Sequence, residues 1–305
     1  MWMRWLAVIC SLAFVGAAHA LTLKPQEVAP GVYAFIGDMG MRAPSNEGMN
    51  ANSGFIVTSD GVVVVDSGST WQVAQQIHRA IGKVTKQPVK VVINTGGQDH
   101  RWLGNGYFKS IGAEIIAARP ALADMQARGD MQLEELRKLL RGKAAGTKPV
   151  YPDQYFDREK TLTLGGEDIH LLYFHGGHTP GDSVVWLPKA GVLFAGDLVF
   201  VDRILGMLPF SSSRNWLASF GDMEQLAPKI IVPGHGHVCD LPKAQRETRD
   251  YLLLLRNHMK QAVEQGQDIQ SAINSLDQSA FKGLLNYDTL KGFNASNTYL
   301  EVEAE

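Results

Sequence analysis

The chain has 305 residues, 45% of them hydrophobic and 20% charged, with 29 basic and 31 acidic side chains and a formal net charge of −2. That apolar content supports one large domain or two small ones and excludes low-complexity disorder. The balanced charge leaves no basic footprint for nucleic acid or an acidic membrane surface, and two cysteines cannot build a disulfide framework.

Residues 1–20 read as an export signal. Arg4 supplies a positive start, residues 6–15 an apolar run, and Ala18-His19-Ala20 a small-residue cleavage site. The run is too short to cross about 30 Å of hydrocarbon, which argues against a membrane anchor. Cleavage leaves Cys239 as the one cysteine of the mature chain. The expected location is periplasmic or secreted, without stable membrane insertion.

After the signal, residues 32–36, 53–58 and 62–66 read as strands, with Ser59-Asp60-Gly61 a tight hairpin turn. The Gly-, Asn- and Met-rich segment 37–52 between the first two reads as a flap. Ala74, Ile77 and Ile81 recur at helical spacing, so a helix is expected over 70–82. Strand 89–94 runs into a glycine-rich loop. A helix near 101–110, a strand at 114–117 and a long helix over 120–141 follow, with Pro120 suited to the first turn.

A second half begins after the loop 142–152. Residues 161–164, 169–174, 183–187 and 192–195 read as antiparallel strands. A helix near 214–226, a strand at 230–233, a helix over 242–265 and a mostly helical, polar tail complete the chain. Both halves pair β-hairpins with βα units. This pattern predicts an α/β (α+β) fold in which two sheets pack face to face with helices outside, a four-layer αβ/βα sandwich. Neither half has enough cover to stand alone, so residues 21–305 are expected to form one domain with a helical C-terminal tail.

Four loops at strand ends gather the histidines and aspartates: Thr95 to His100, His175 to Asp182, Gly196-Asp197, and Gly234 to His237. Imidazoles and carboxylates are the usual ligands of zinc and related borderline metals. Glycine-flanked loops let such groups converge from distant segments.

From Asn52 to about Tyr251 the chain resembles the metallo-β-lactamase superfamily. The motifs that carry the resemblance are Asp66-Ser67-Gly68, "GHTPGD" at 177–182, "FAGD" at 194–197 and "PGHG" at 233–236. The family's four-layer sandwich agrees with the fold read above. By position, the resemblance makes Asp99 and His100 the Asp-His pair of a second metal. His178 becomes a ligand of the first metal, Asp197 the bridging carboxylate, and His235 the last ligand of the second. The chain departs from the family at the first loop. Counting back from Asp99, the two usual histidines fall on Thr95 and Gly97, while the Asn-Thr lead-in shifts Gln98 toward the second of them.

The resemblance therefore implies a metal-dependent hydrolase with one zinc ion, iron being the alternative. Metal-bound hydroxide is expected to attack an ester, thioester, amide or lactam carbonyl of a small-molecule substrate. Asp99 and Asp197 are the candidate proton acceptors. His175, His237 and Gln98 are candidate replacement ligands. Asp66 is read as a turn residue, Cys239 as a small packed side chain, and His78, His170 and His258 as packing or surface residues. Residues 103–105 and 173–188 look closest to periplasmic members associated with sulfur-oxidation or quinoprotein systems. The competing reading is a non-catalytic periplasmic binding or accessory protein with one structural metal or none; an iron-dependent redox protein is a third. The sequence does not define the oligomeric state.

Overall fold

A computed structural model describes residues 23–305; the export signal read at 1–20 lies outside them. Seven strands form the first sheet in chain order: β1 (Gln26–Ala29), β2 (Val32–Phe35), β3 (Ser53–Thr58), β4 (Gly61–Val65), β5 (Val89–Asn94), β6 (Glu114–Ala118) and β7 (Gln154–Phe156). Pairing is antiparallel from β1 to β4 and parallel from β4 to β7. The second sheet has the order β12-β11-β10-β9-β8. Its strands are β8 (Glu159–Leu164), β9 (Glu167–Tyr173), β10 (Ser183–Leu187), β11 (Val192–Phe200) and β12 (Ile230–His235). Here only β11 and β12 run parallel.

The strand sequences explain the layering. Side chains alternate across a strand, so a strand covered on both faces reads as an unbroken apolar run. In β4, Val63 and Val65 enter the core between the sheets, whereas Val62 and Val64 enter an outer core. In β11, Val192 and Phe194 face the first sheet, and Leu193 and Ala195 face the helices behind.

Helices supply that outer cover. Behind the first sheet lie α1 (Trp71–Val84) and α3 (Asn105–Ser110), while Trp102 of the single turn α2 (Asp99–Trp102) joins the central core. Thr70 caps α1 by accepting from the Val73 N–H, and Val73, Ala74, Ile77 and Ile81 form its buried stripe. The helix expected over 101–110 is broken between α2 and α3. The long helix α4 (Arg119–Leu140) sends Ala121, Met125, Leu133 and Leu136 into the central core. Behind the second sheet pack α5 (Ser213–Gln225), α6 (Leu241–Ala244), α7 (Asp250–Glu264), α8 (Ile269–Ser275) and α9 (Tyr287–Glu303). A π turn over Gln245–Arg249 joins α6 to α7. The tail is less polar than its sequence suggests: Tyr287, Ala295, Tyr299 and Val302 of α9 belong to the second outer core. The observed architecture is the αβ/βα sandwich expected from the sequence.

Among the described residues no helix is long and apolar enough to cross a membrane.

Candidate metal centre

The site lies where the turn after β5, the register break within β11 and the last residue of β12 meet. Asp197 reaches it through a break in strand register. β11 was expected to end at Ala195, yet it continues to Phe200 and shifts register against β12 on both sides of Gly196. Such an irregularity re-aims one side chain without ending the strand. Gly196 has φ +51°, and a Cβ there would stand 2.6 Å from Thr95 Oγ1, so glycine is required. His235 closes β12. His100 sits in the short turn α2, one residue beyond Asp99.

Among the described residues, one trio of potential ligands has its ligand atoms all within 4.8 Å of one another: His100, Asp197 and His235, all buried. His100 Nε2 lies 3.2 Å from Asp197 Oδ2, and His235 Nε2 lies 3.2 Å from Asp197 Oδ1. The two imidazole rings meet edge to face at 5.3 Å. Phe200 stacks on His235 at 4.4 Å and fixes its plane.

The tautomers follow from backbone partners. His235 Nδ1 lies 2.7 Å from the Asn50 carbonyl, and His178 Nδ1 lies 2.8 Å from the Gly206 carbonyl. A carbonyl can only accept, so each Nδ1 carries the hydrogen and donates it. Burial lowers His235 to about 3 and His178 to about 4, so both rings are neutral at pH 7 with Nε2 as a lone pair. The His235 Nε2 lone pair then faces a carboxylate oxygen at 3.2 Å. Two acceptors are not held at that distance without a cation or proton between them. Two imidazoles, one carboxylate and a face open to a pocket match the three-ligand pattern of catalytic zinc sites.

Asp197 has a second partner that the sequence reading missed. Arg101, only 1% exposed, lays its guanidinium along the carboxylate: Nη2 bonds Oδ1, and Nε donates to Oδ2 at 3.2 Å. Arg101 Nη1 donates to Asp66 Oδ2 at 2.9 Å and to the Asn52 carbonyl at 2.8 Å. Asp66 also accepts from the backbone N–H and the hydroxyl of Thr95, both at 2.8 Å. Burial raises Asp197, but Arg101 and His100 outweigh it and hold the carboxyl well below the usual range. Asp66 stays above its ordinary value because burial exceeds the help from Arg101 and Thr95. Asp182 is held well above that range by burial and by the Asp197 charge. The signal for Arg101 was a charged residue beside the apolar pair Trp102-Leu103.

The other residues singled out from the sequence fall in different places. Asp99 stands outside the trio: it is buried and ion-paired with Arg42 of the flap, and its Oδ1 lies 3.5 Å from His100 Nδ1. Burial pushes its carboxyl up, yet Arg42 and His100 bring it below its ordinary value. Thus His100 and Arg101, the residues after Asp99, are the ones that reach Asp197. His178 lines the same pocket as His100 and His235 but stands outside the trio. His175 pairs with Asp222 at 3.1 Å, and His237 with Asp202 at 2.8 Å, both at exposed positions. Gln98 is partly buried, and its Oε1 has no hydrogen-bond partner. Cys239 pairs through its backbone with Ile231 and lies outside the trio.

Asn52 is a further organiser that carried no sequence signal. Its amide donates to the Pro233 and Gly236 carbonyls at 2.8 and 2.7 Å and accepts from the Gly37 N–H at 2.9 Å. It therefore ties the flap to the loop bearing His235.

Gly97 shows what fills the space beside this loop. A Cβ at Gly97 would collide with the Asp124 carboxylate, which is itself paired with Arg128. The backbone cannot retreat, because the Gly97 carbonyl accepts from Trp102 Nε1 at 3.1 Å and Gln132 Nε2 at 2.9 Å. Gly97→Ala is therefore expected to cost about 1–3 kcal/mol by overpacking. Urea unfolding measures it, and an unchanged midpoint contradicts this packing.

The profile of the metallo-beta-lactamase superfamily matches residues 46–235. The chain belongs to that superfamily. Its relatives include a metallo-beta-lactamase type 2 of Elizabethkingia meningoseptica, 29% identical over 197 residues, covering 61% of this chain and 68% of that protein. Metallo-beta-lactamase IND-1 of Chryseobacterium indologenes is 28% identical over 199 residues, covering 62% and 75%. Among solved structures, a metallo-beta-lactamase from Pontibacter korlensis superposes with TM-score 0.62 at 22% identity, covering 76% of this chain and 99% of that one. These structural likenesses concern the fold.

Proposed function

We propose that this protein is an exported metal-dependent hydrolase that holds one zinc ion at His100, Asp197 and His235. Its substrate is a small molecule with an ester, thioester, amide or lactam carbonyl. The carrying observation is the buried trio, whose neutral His235 turns an Nε2 lone pair toward the Asp197 carboxylate at 3.2 Å. A bound divalent ion would supply Lewis acidity and lower the pKa of a water molecule.

The chain's own groups do the rest. The Asn50 and Gly206 carbonyls orient His235 and His178, and Phe200 packs against both rings. Arg101 fixes the Asp197 carboxylate and compensates its charge. Asp99, like Asp197, is engaged on both oxygens: Oδ1 accepts from the His100 N–H at 2.9 Å and Oδ2 pairs with Arg42 of the flap, so Asp99 takes a proton only once Arg42 releases it. Arg42 and Arg203 both line the pocket. Arg203 is 4% exposed and its Nε has no partner, which favours a substrate with an acidic group.

The reading of residues 21–305 as one domain is supported by a central core that draws Val63 and Ile93 from one sheet and Leu171 and Val185 from the other. Export rests on the pattern at residues 1–20.

One observation favours the competing accessory role: Arg101 already neutralises Asp197 without a metal. Assay of nitrocefin and p-nitrophenyl acetate separates the two. The hydrolase reading expects turnover that a chelator abolishes and zinc restores. A zinc-loaded protein that turns over neither substrate favours the accessory role.

A further inference from the structure

The pocket above the trio has a wall that the family match does not include. That match ends at residue 235, whereas α9 begins at Tyr287. The floor is His100, His178 and His235; the wall is Leu290 and Phe293 of α9, facing Met41 of the flap and Leu208.

α9 is fixed in that position. Buried Asn294 donates to the Leu205 carbonyl and accepts from the Met207 N–H, both at 2.8 Å. Asn297 donates to the Met207 carbonyl at 2.6 Å. These bonds flank Gly206, whose carbonyl orients His178, so the helix and the site floor share one loop. At the other end, Asn286 donates to the Met39 carbonyl of the flap at 3.2 Å.

Two apolar side chains stay in solvent at this mouth: Met41 is 48% and Phe293 44% exposed. The cavity itself is about 120 Å³, room for a small carbonyl group but not for a whole drug-sized molecule. The remainder of a substrate must lie across the rim, where the exposed apolar surface is.

We infer that α9 is a substrate-binding wall, and that the substrate is a carbonyl compound whose apolar acyl chain lies along Leu290 and Phe293. The substrate class rests on the hydrolase reading above; the wall itself does not. Phe293 and Leu290 are specificity-determining residues that meet the chain rather than the reacting carbonyl.

Two measurements on the full chain test this. First, p-nitrophenyl acetate, butyrate, hexanoate and octanoate are compared on the zinc-loaded protein. kcat/KM is expected to rise about fourfold per methylene over the first few carbons, in line with burial of a CH2 group. Phe293→Ala and Leu290→Ala are expected to flatten that dependence. Second, binding of octanoate and acetate is measured by calorimetry, which needs no turnover. Octanoate is expected to bind at least about tenfold more tightly, with most of the difference lost in Phe293→Ala. Chain-dependent binding without turnover of any ester keeps the wall and removes the hydrolase. Turnover independent of chain length overturns the wall. So does octanoate binding that Phe293→Ala leaves intact, as a chain lodged elsewhere would give.

Discussion

Replacing Arg101 with Met is expected to cost about 3–5 kcal/mol, a loss on the order of 10 °C in melting temperature. The guanidinium is 1% exposed and bonds Asp66, Asp197 and the Asn52 carbonyl. Its removal leaves two carboxylates buried together with nothing between them. Arg101→Lys keeps the charge but loses the two-pronged contact, and an intermediate loss is expected. The control is Arg249→Met. Arg249 also bridges two acids, Glu224 and Asp250, both at 2.9 Å, but its side chain is 32% exposed. Such a pair is worth no more than about 1 kcal/mol. Equal losses from Arg101→Met and Arg249→Met would contradict the role given to Arg101. A divalent ion at Asp197 offsets part of the missing charge, so zinc is expected to stabilise Arg101→Met more than the wild type.

Asp197→Asn has the opposite profile. It removes the carboxylate shared by His100 and His235 but leaves the Asp66–Arg101 pair at 2.9 Å, one acid against one base. The folded state is therefore expected to lose less stability than in Arg101→Met. Metal affinity is expected to fall at least about a hundredfold, and any chelator-sensitive turnover with it. The two variants reverse their order between the two readouts. A destabilised Asp197→Asn with wild-type metal affinity would remove the carboxylate from the site.

Much of the architecture was legible because strands buried on both faces leave continuous apolar runs. Val62 to Val65 and residues 89–94 identified β4 and β5 on that ground. The short edge strands β1 and β7 were not legible, since four and three residues that are partly exposed carry no period. The end of β11 was missed because Gly196-Asp197 reads as a loop, whereas it is a register shift inside a strand. The convergence of His100, Asp197 and His235 was foreseen from loops at strand ends together with the resemblance. The place of Asp99 was not, because all four residues of the single turn α2 are buried and the turn alone does not decide which of them reaches Asp197. That choice depends on partners distant in sequence: Arg42, 57 positions away, pairs with Asp99, and Asp197 pairs with Arg101. Spacing within a loop does not encode either.

The central claim is that His100, Asp197 and His235 hold one metal ion. Elemental analysis of the full-length protein, purified without chelator and compared with four single alanine variants, tests it most directly. About one equivalent of zinc per chain is expected in the wild type. It should be lost in His100→Ala and His235→Ala and kept in His175→Ala and His237→Ala, whose exposed imidazoles pair with Asp222 and Asp202. A metal-free wild type, or a metal that survives both His100→Ala and His235→Ala, would contradict the account.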